Sequence, residues 1–330
     1  MNKEFDYIII GAGIAGCCIA HFLSKYSKSI LLIDKNEKVA FGASGAAGAF
    51  LSPLLGKPND FKDLIKEALI FSTQFYKSFG KEFINDCGVN RIPKNQEDED
   101  KFESYKPYMD FEYTKMDDGY FFKIGSQVNP SLICEEITKN VEKKLSYEVL
   151  SLVQKEDSSW LLNDELIAKN IILTTGANIK HINEEYFDIR AVWGQKIDIS
   201  TTTIPLINYH KECSVSKAFK IENSDLYKVS IGATHHKFNC DKNICNYCVE
   251  VANINNCNKC YDDSTINSDS IKLINLANYI IKLENVKVID VKIGARASSN
   301  DYFPMLGKMV DSKKSIEKFP HILNGTHIKN

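Results

Sequence analysis

Three consecutive β-branched residues, Ile8, Ile9 and Ile10, run straight into glycines at positions 11, 13 and 16, and a second apolar run, Leu31 to Ile33, ends on Asp34. The triple isoleucine reads as a strand buried on both faces. The glycines stand at G-x-G-x-x-G spacing, and each has a separate task. Gly11 allows a sharp turn, Gly13 lets the backbone approach a pyrophosphate, and Gly16 lets a helix pack closely on the strand. The free N–H groups of Ile14, Ala15 and Gly16 at the helix start then offer donors to phosphate oxygens. Asp34, with Lys35 beside it, follows at the distance where a carboxylate accepts hydrogen bonds from an adenosine ribose and favours a free diol over a 2′-phosphate. The stretch therefore predicts strand, glycine turn, helix and strand around a dinucleotide.

A chain of 330 residues can bury a large core as one large or two interleaved domains. Its 41 Lys and Arg against 43 Asp and Glu give no bulk support for strong nucleic-acid binding, so any RNA contact has to come from a local patch. Acidic Glu4 and Asp6 precede the apolar run at 7–20 and glycines interrupt it, which excludes a signal sequence, and no apolar stretch is long enough for a membrane span. A cytoplasmic location is expected, with the ten cysteines as thiols or metal ligands instead of disulfides.

Further along, Gly42-Ala43-Ser44-Gly45 and Gly48 make a backbone-donor loop able to wrap phosphates or a flavin ring, turning apolar at Ala49 to Leu55. Apolar residues from Asp60 to Asp86 recur at three and four, predicting one long amphipathic helix stopped near Gly88. Residues 96–118 read as charged surface, and Pro130 opens another helix. A hairpin is expected over Tyr147 to Leu162, then a strand Ile171 to Ala177 returning to the first sheet. Arg190 to Ile199 and Tyr227 to Thr234 alternate as in a half-exposed antiparallel sheet, and Val288 to Gly294 reads as a further strand.

Taken in order, Gly11 to Gly16, Asp34, Gly42 to Gly45, Leu173-Thr-Thr-Gly-Ala177 and Gly294-Ala-Arg296 through Pro304-Met-Leu-Gly307 resemble the D-amino-acid oxidase-like FAD family. Within it, Val192-Trp-Gly-Gln195 and Ile231-Gly-Ala-Thr-His-His236 resemble the oxidoreductase half of bacterial enzymes that make 5-methylaminomethyl-2-thiouridine in tRNA. The resemblance implies an α/β (α+β overall) architecture: a Rossmann-like FAD-binding domain of the glutathione-reductase/D-amino-acid oxidase type, with an inserted antiparallel β-rich substrate domain. Residues 1–56, 125–190 and 288–330 would form the first, and 57–124 and 191–287 the second.

The resemblance also implies that Gly11, Gly13, Ile14, Ala15, Gly16, Asp34 and Lys35 hold the ADP part of FAD. Ala43, Ser44 and Gly45 would follow the pyrophosphate and ring, and Thr175, Gly176 and Ala177 would complete the floor. Arg296 matches the arginine that clamps a substrate carboxylate, as suits two parallel donors on a permanent cation. Lys57 is a candidate for tuning oxygen reactivity, against a solvated lysine. The implied reaction oxidises the carboxymethylamino group of a tRNA wobble uridine and releases glyoxylate. With the glycine strand so near Met1, a separate methyltransferase is the expected partner for the next step. The rival readings are an oxidase of free glycine, sarcosine or a D-amino acid, a nicotinamide dehydrogenase, and a non-catalytic remnant binding RNA or a partner; the chain's end at Asn330 keeps the last open.

Cys245-x-x-Cys248 and Cys257-x-x-Cys260 lie in a stretch (240–260) the relatives lack. Paired C-x-x-C knuckles at this spacing predict a structural zinc with a closed shell, against free reduced thiols.

Overall fold

The computed structural model describes residues 3–179, 181–182, 184, 187, 189–237 and 261–324. Strand β1 (Lys3–Ile10), helix α1 (Ile14–Leu23) and β2 (Ile30–Ile33) form the opening parallel unit, with Ile8 opposite Leu31 and Ile10 opposite Ile33. The chain then passes through the short helix α2 (Ala43–Ala46), β3 (Phe50–Leu51), α3 (Asp60–Lys77), β4 (Ile84–Asn85) and β5 (Val89–Arg91). Next come α4 (Gln96–Tyr105), β6 (Tyr113–Lys115), β7 (Tyr120–Phe122), β8 (Ser126–Val128), α5 (Pro130–Ile137) and β9 (Glu142–Lys144). Hairpin β10 (Leu152–Gln154) and β11 (Trp160–Leu162) leads into β12 (Leu166–Leu173). β12 lies parallel to β1 on its other side, completing a six-stranded sheet in the order β10-β11-β12-β1-β2-β9.

The second half begins with β13 (Arg190–Thr201), followed by β14 (Asn208–His210), β15 (Ser214–Val215), β16 (Phe219–Lys220) and β17 (Tyr227–Gly232). Helix α6 (Asp263–Asn278), β18 (Lys287–Ser298) and α7 (Ser312–Lys318) complete the described chain. β13 runs antiparallel between β17 and β18, and their nine-stranded sheet reaches β5, β7 and β6 from the first half. A three-stranded sheet, β3-β8-β4, stands apart.

The six-stranded sheet is covered on one side by α1 and α5 around Ile9, Ile133 and Cys134, while Ile8, Ile10, Leu31 and Ile33 form a second cluster with Val149 and with Trp160 and Leu162 of β11. The larger sheet packs Ile197, Ile199 and Ile231 on Leu273 and Ala277 of α6. Each of these fully buried aliphatic side chains contributes about 1.5–3 kcal/mol over leaving it in water.

Three elements differ from the expectation. α3 stops at Lys77, capped by Ser78, and Gly80 turns the chain at φ +135°, so that Phe79 and Phe83 pack on the first core from outside a helix. The return strand ends at Leu173, leaving Thr175 to Ala177 as a turn. β13 is buried along nearly its whole length, because α6 covers one face while α2 lies against the other through β18. Among the described residues no helix is long and apolar enough to cross a membrane.

Candidate functional site

The first glycine turn is fixed from two directions. Gly11 takes φ +111°, and a Cβ there would lie 2.4 Å from the Thr174 carbonyl oxygen at the end of β12. Thr174 Oγ1 in turn donates to the carbonyls of Ile10 and Gly11, at 3.0 and 2.7 Å. A Cβ on Gly16 would fall 1.9 Å from the Gly11 oxygen, so α1 reaches this position only with glycine there.

α1 starts at Gly13 with no side-chain cap. Ile14 N donates to Ser44 Oγ at 2.9 Å, bringing α2 onto the helix end. The amides of Ala15 and Gly16, two of the donors every helix start leaves open, find no partner among the described residues. Asp34 Oδ2 accepts from Ala12 N at 2.7 Å, while Oδ1 accepts from Asn36 N and Nδ2, each at 2.8 Å. Lys35 is exposed. Ala43 and Gly45 flank Ser44, and Gly45 packs so closely that a Cβ would meet Ala40 O at 1.9 Å. Past Thr175, Gly176 sits at φ +62° with open space where a side chain would stand, and Ala177 is buried. The turn, Asp34, Ser44 and the segment after β12 thus converge on one helix end.

Arg296 lies on β18 opposite Val192, and its Nη1 donates to the Thr234 carbonyl oxygen at 3.4 Å. Beneath it is Gly194, where a Cβ would come within 2.5 Å of Nη1. Two residues along the same face, a Cβ on Gly294 would meet Ala43 Cα of α2 at 2.7 Å. The arginine therefore stands next to the Ser44 helix, on a floor kept flat by glycine. Burial draws its pKa down from the ordinary value, opposed by the Tyr261 phenol; a guanidinium remains charged at neutral pH regardless. It forms no ion pair among the described residues. Burial, then the Arg296 charge, also pull the pKa of His235 below its ordinary value.

Thr234, His236 and Gln195, from the segments that carry the resemblance, join Asp269, Tyr261 and Arg91, which the sequence did not single out, in supporting this corner. Asp269 of α6 is buried and accepts from Thr234 Oγ1 and His236 Nε2, both at 2.8 Å, and from the Tyr261 hydroxyl. Burial alone raises its pKa, but these donors outweigh it and hold the carboxyl below the ordinary value. Gln195 faces the same way, donating to Ile266 O at 3.0 Å and Ser270 Oγ at 2.7 Å, which ties α6 to β13. Arg91 on β5 donates to Ser52 Oγ at 3.0 Å and Pro53 O at 2.8 Å, and burial brings its pKa down to about 10. It fastens the loop after α2 to the larger sheet. Apart from Tyr261 with Asp269, eight positions away, these contacts join residues more than 30 positions apart, so local spacing does not reveal them.

Lys57 is exposed in a turn, its carbonyl accepting from Asn59 Nδ2, with nothing linking it to Arg296. Cys245, Cys248, Cys257 and Cys260 lie outside the described residues; among the described ones there is no group of side chains that would hold a metal ion. The zinc expectation thus falls on residues outside those described.

Comparison with known proteins places the fold and the family. The tRNA 5-methylaminomethyl-2-thiouridine biosynthesis bifunctional protein MnmC of Campylobacter fetus is 24% identical over 348 residues, spanning 100% of this chain and 51% of its own length. The protein of the same name from Legionella pneumophila (strain Lens) is 23% identical over 93% of this chain and 46% of its own. The chain thus spans about half the length of these relatives. Glycine oxidase from Geobacillus kaustophilus shares the fold at TM-score 0.67 and 12% identity, over 94% of this chain and 87% of that one. So does L-α-glycerophosphate oxidase from Mycoplasma pneumoniae, solved with FAD bound, at TM-score 0.63 and 14% identity over 90% and 84%. The family described as FAD dependent oxidoreductase (DAO) matches residues 6–326, and the chain belongs to it.

Proposed function

We propose that this chain removes the carboxymethyl group from 5-carboxymethylaminomethyl-2-thiouridine at the tRNA wobble position, releasing glyoxylate. The observation carrying this reading is Arg296: a half-buried guanidinium beside α2, without an acidic partner among the described residues. An N-substituted glycine brings the carboxylate that such a group lacks, and two parallel charge-assisted hydrogen bonds fix its orientation. The MnmC relatives add the tRNA substrate to that chemistry.

The residues present suit FAD. The open amides of Ala15 and Gly16 and the Ser44 hydroxyl would hold the pyrophosphate, each remaining Asp34 lone pair a ribose hydroxyl, and the open space at Gly176 the backbone approach of the cofactor. When bound, FAD supplies the hydride acceptor. What the chain's own side chains contribute is placement: Arg296 holds the carboxylate so that the adjacent carbon is presented in one pose. The Arg296 charge and burial disfavour a second positive charge on His235, and the amine must be neutral to give up hydride. These residues account for the oxidation alone.

The test is anaerobic bleaching of the flavin band with tRNA carrying the carboxymethylaminomethyl group, with the same tRNA lacking it, and with sarcosine. Bleaching by the modified tRNA alone is expected, and an Arg296→Met variant should keep its flavin while losing that rate by about 100-fold or more. Equal bleaching by sarcosine would replace the wobble substrate with a free amino acid.

A further inference from the structure

A second feature lies on the other side of α2 from Arg296. A cleft of about 460 Å³ opens between the α2 loop, the segment 81–85, the start of α5 and the sheet strands β13, β16, β17 and β18. Its wall is basic. Lys196 and Lys292 sit opposite one another on β13 and β18, Lys228 and Lys220 follow on β17 and β16, and Lys81 faces them from the first half of the chain.

Acid compensation is partial. Asp198 takes Lys196 Nζ at 3.0 Å and Ser230 Oγ at 2.6 Å, making a buried pair at the floor. Lys292 and Lys220 reach Asp290 and Asp225 only at 3.9 and 3.8 Å, and Lys81 and Lys228 form no ion pair among the described residues. Five lysines line one recess of a chain whose formal net charge is −2; three of them have an acidic partner in Asp198, Asp290 or Asp225, and Lys81 and Lys228 carry the unpaired charge beside Glu82. Like charges gathered this way repel one another, a cost that an anion spread over the same distance removes.

The geometry points to the phosphodiester backbone of RNA as the occupant. The lysines come from five separate elements and span from a buried floor to an exposed rim, which suits several phosphates in a row better than one. Lysine acts as a point charge and tolerates varied phosphate directions, unlike the bidentate fork of arginine. Phe219 stands 41% exposed at the rim, where a base can stack. Lys292 and Arg296 lie on one strand face four residues apart, about 13 Å along the strand, with α2 over Gly294 between them. One RNA segment can therefore lie in the cleft while its modified base reaches across to the guanidinium. This inference rests on the tRNA reading above.

The experiment is fluorescence-anisotropy binding of an unmodified tRNA transcript to the flavin-loaded full chain across a salt series. In the Lys81→Ala/Lys228→Ala/Lys292→Ala variant, affinity should fall at least about tenfold and the slope of log K on log salt should flatten by about 2–3. A Lys25→Ala/Lys282→Ala/Lys318→Ala variant, altered on exposed lysines elsewhere, should match the wild type. Lys228→Gln alone, at an exposed position, gives a smaller loss and guards against misfolding of the triple variant, as do flavin absorbance and the unfolding midpoint. Unchanged binding in the cleft variant overturns the inference, as does a wild type that binds no tRNA. Competition by inorganic phosphate as effective as that by RNA of equal phosphate content would also overturn it, in favour of a small-anion site. If the cleft variant loses RNA while the wild type fails to oxidise modified tRNA, the wobble substrate is discarded and the cleft stands. If oxidation proceeds and cleft variants bind normally, the reverse holds.

Discussion

Replacing Gly194 with alanine should cripple turnover without unloading the flavin. The new Cβ would lie 2.5 Å from Arg296 Nη1 and 2.5 Å from the Thr234 carbonyl oxygen, whereas ordinary contact begins at 3.4 Å. Thr234 is held on both sides, its N donating to Gln195 O and its Oγ1 bonded to Asp269 and Gln195 N, so its oxygen yields little. The guanidinium end is the mobile partner of the first contact, and clearing it moves Nη1 by the difference between 3.4 and 2.5 Å; the Thr234 oxygen is backbone, so the second contact is relieved only by a shift of the strand itself. A displacement of about 1 Å in a positioning group lowers the rate about 100-fold, or about 2.7 kcal/mol of transition-state stabilisation. Single-turnover flavin bleaching by modified tRNA measures this directly, with the visible spectrum and melting temperature as controls for cofactor and fold. The substitution should lower the rate less on an Arg296→Met background than alone, because the guanidinium it displaces is gone and only the Thr234 contact remains. Wild-type rates within about threefold in Gly194→Ala, or full additivity of the two substitutions, would refute the placement of Arg296 over this glycine.

Gly16→Ala puts a methyl 1.9 Å from the Gly11 oxygen and should yield protein that no longer retains flavin through gel filtration. Asp34→Ala frees the Ala12 amide and removes the ribose acceptor, and should weaken flavin binding by about 1.5–3 kcal/mol, about 10- to 150-fold in Kd by titration of the apoprotein. His210 is held near a pKa of about 4 by burial and by Arg91, against an ordinary 6.5. The folded state therefore binds fewer protons than the unfolded one across that window. Stability should be fully present above about pH 6.5 and decline by up to about 3 kcal/mol as pH falls toward 4. A chemical-denaturation series should show this decline in the wild type and a flatter profile in His210→Asn.

What the sequence makes legible is local. Gly11, Gly13 and Gly16 act within one turn, so their spacing announces the turn, and Arg296 sits in a contiguous Gly-Ala-Arg run. The supports of Arg296 are another matter. Gly194, Thr234, Tyr261 and Asp269 meet only when three strands and a helix have packed, and a β-register has no signature short of the fold itself. The helix expected through Asp86 fails for a related reason: Phe79 and Phe83 keep the helical spacing, but they reach the first core from a turn that Gly80 permits. The burial of β13 on both faces likewise depends on α6 and α2, elements far from it in the chain.

The bond from Thr174 Oγ1 to the Gly11 carbonyl joins positions 163 residues apart. The nucleotide-binding motif is therefore spelled out at the very beginning of synthesis, yet its turn is clamped only after β12 has emerged and slotted beside β1. A nascent fragment carrying every glycine of the signature would still lack the clamp, and loop closure over such a span is slow. Flavin uptake should therefore require β12 in place as well as the glycine turn, so a fragment ending before Thr174 should not retain the cofactor.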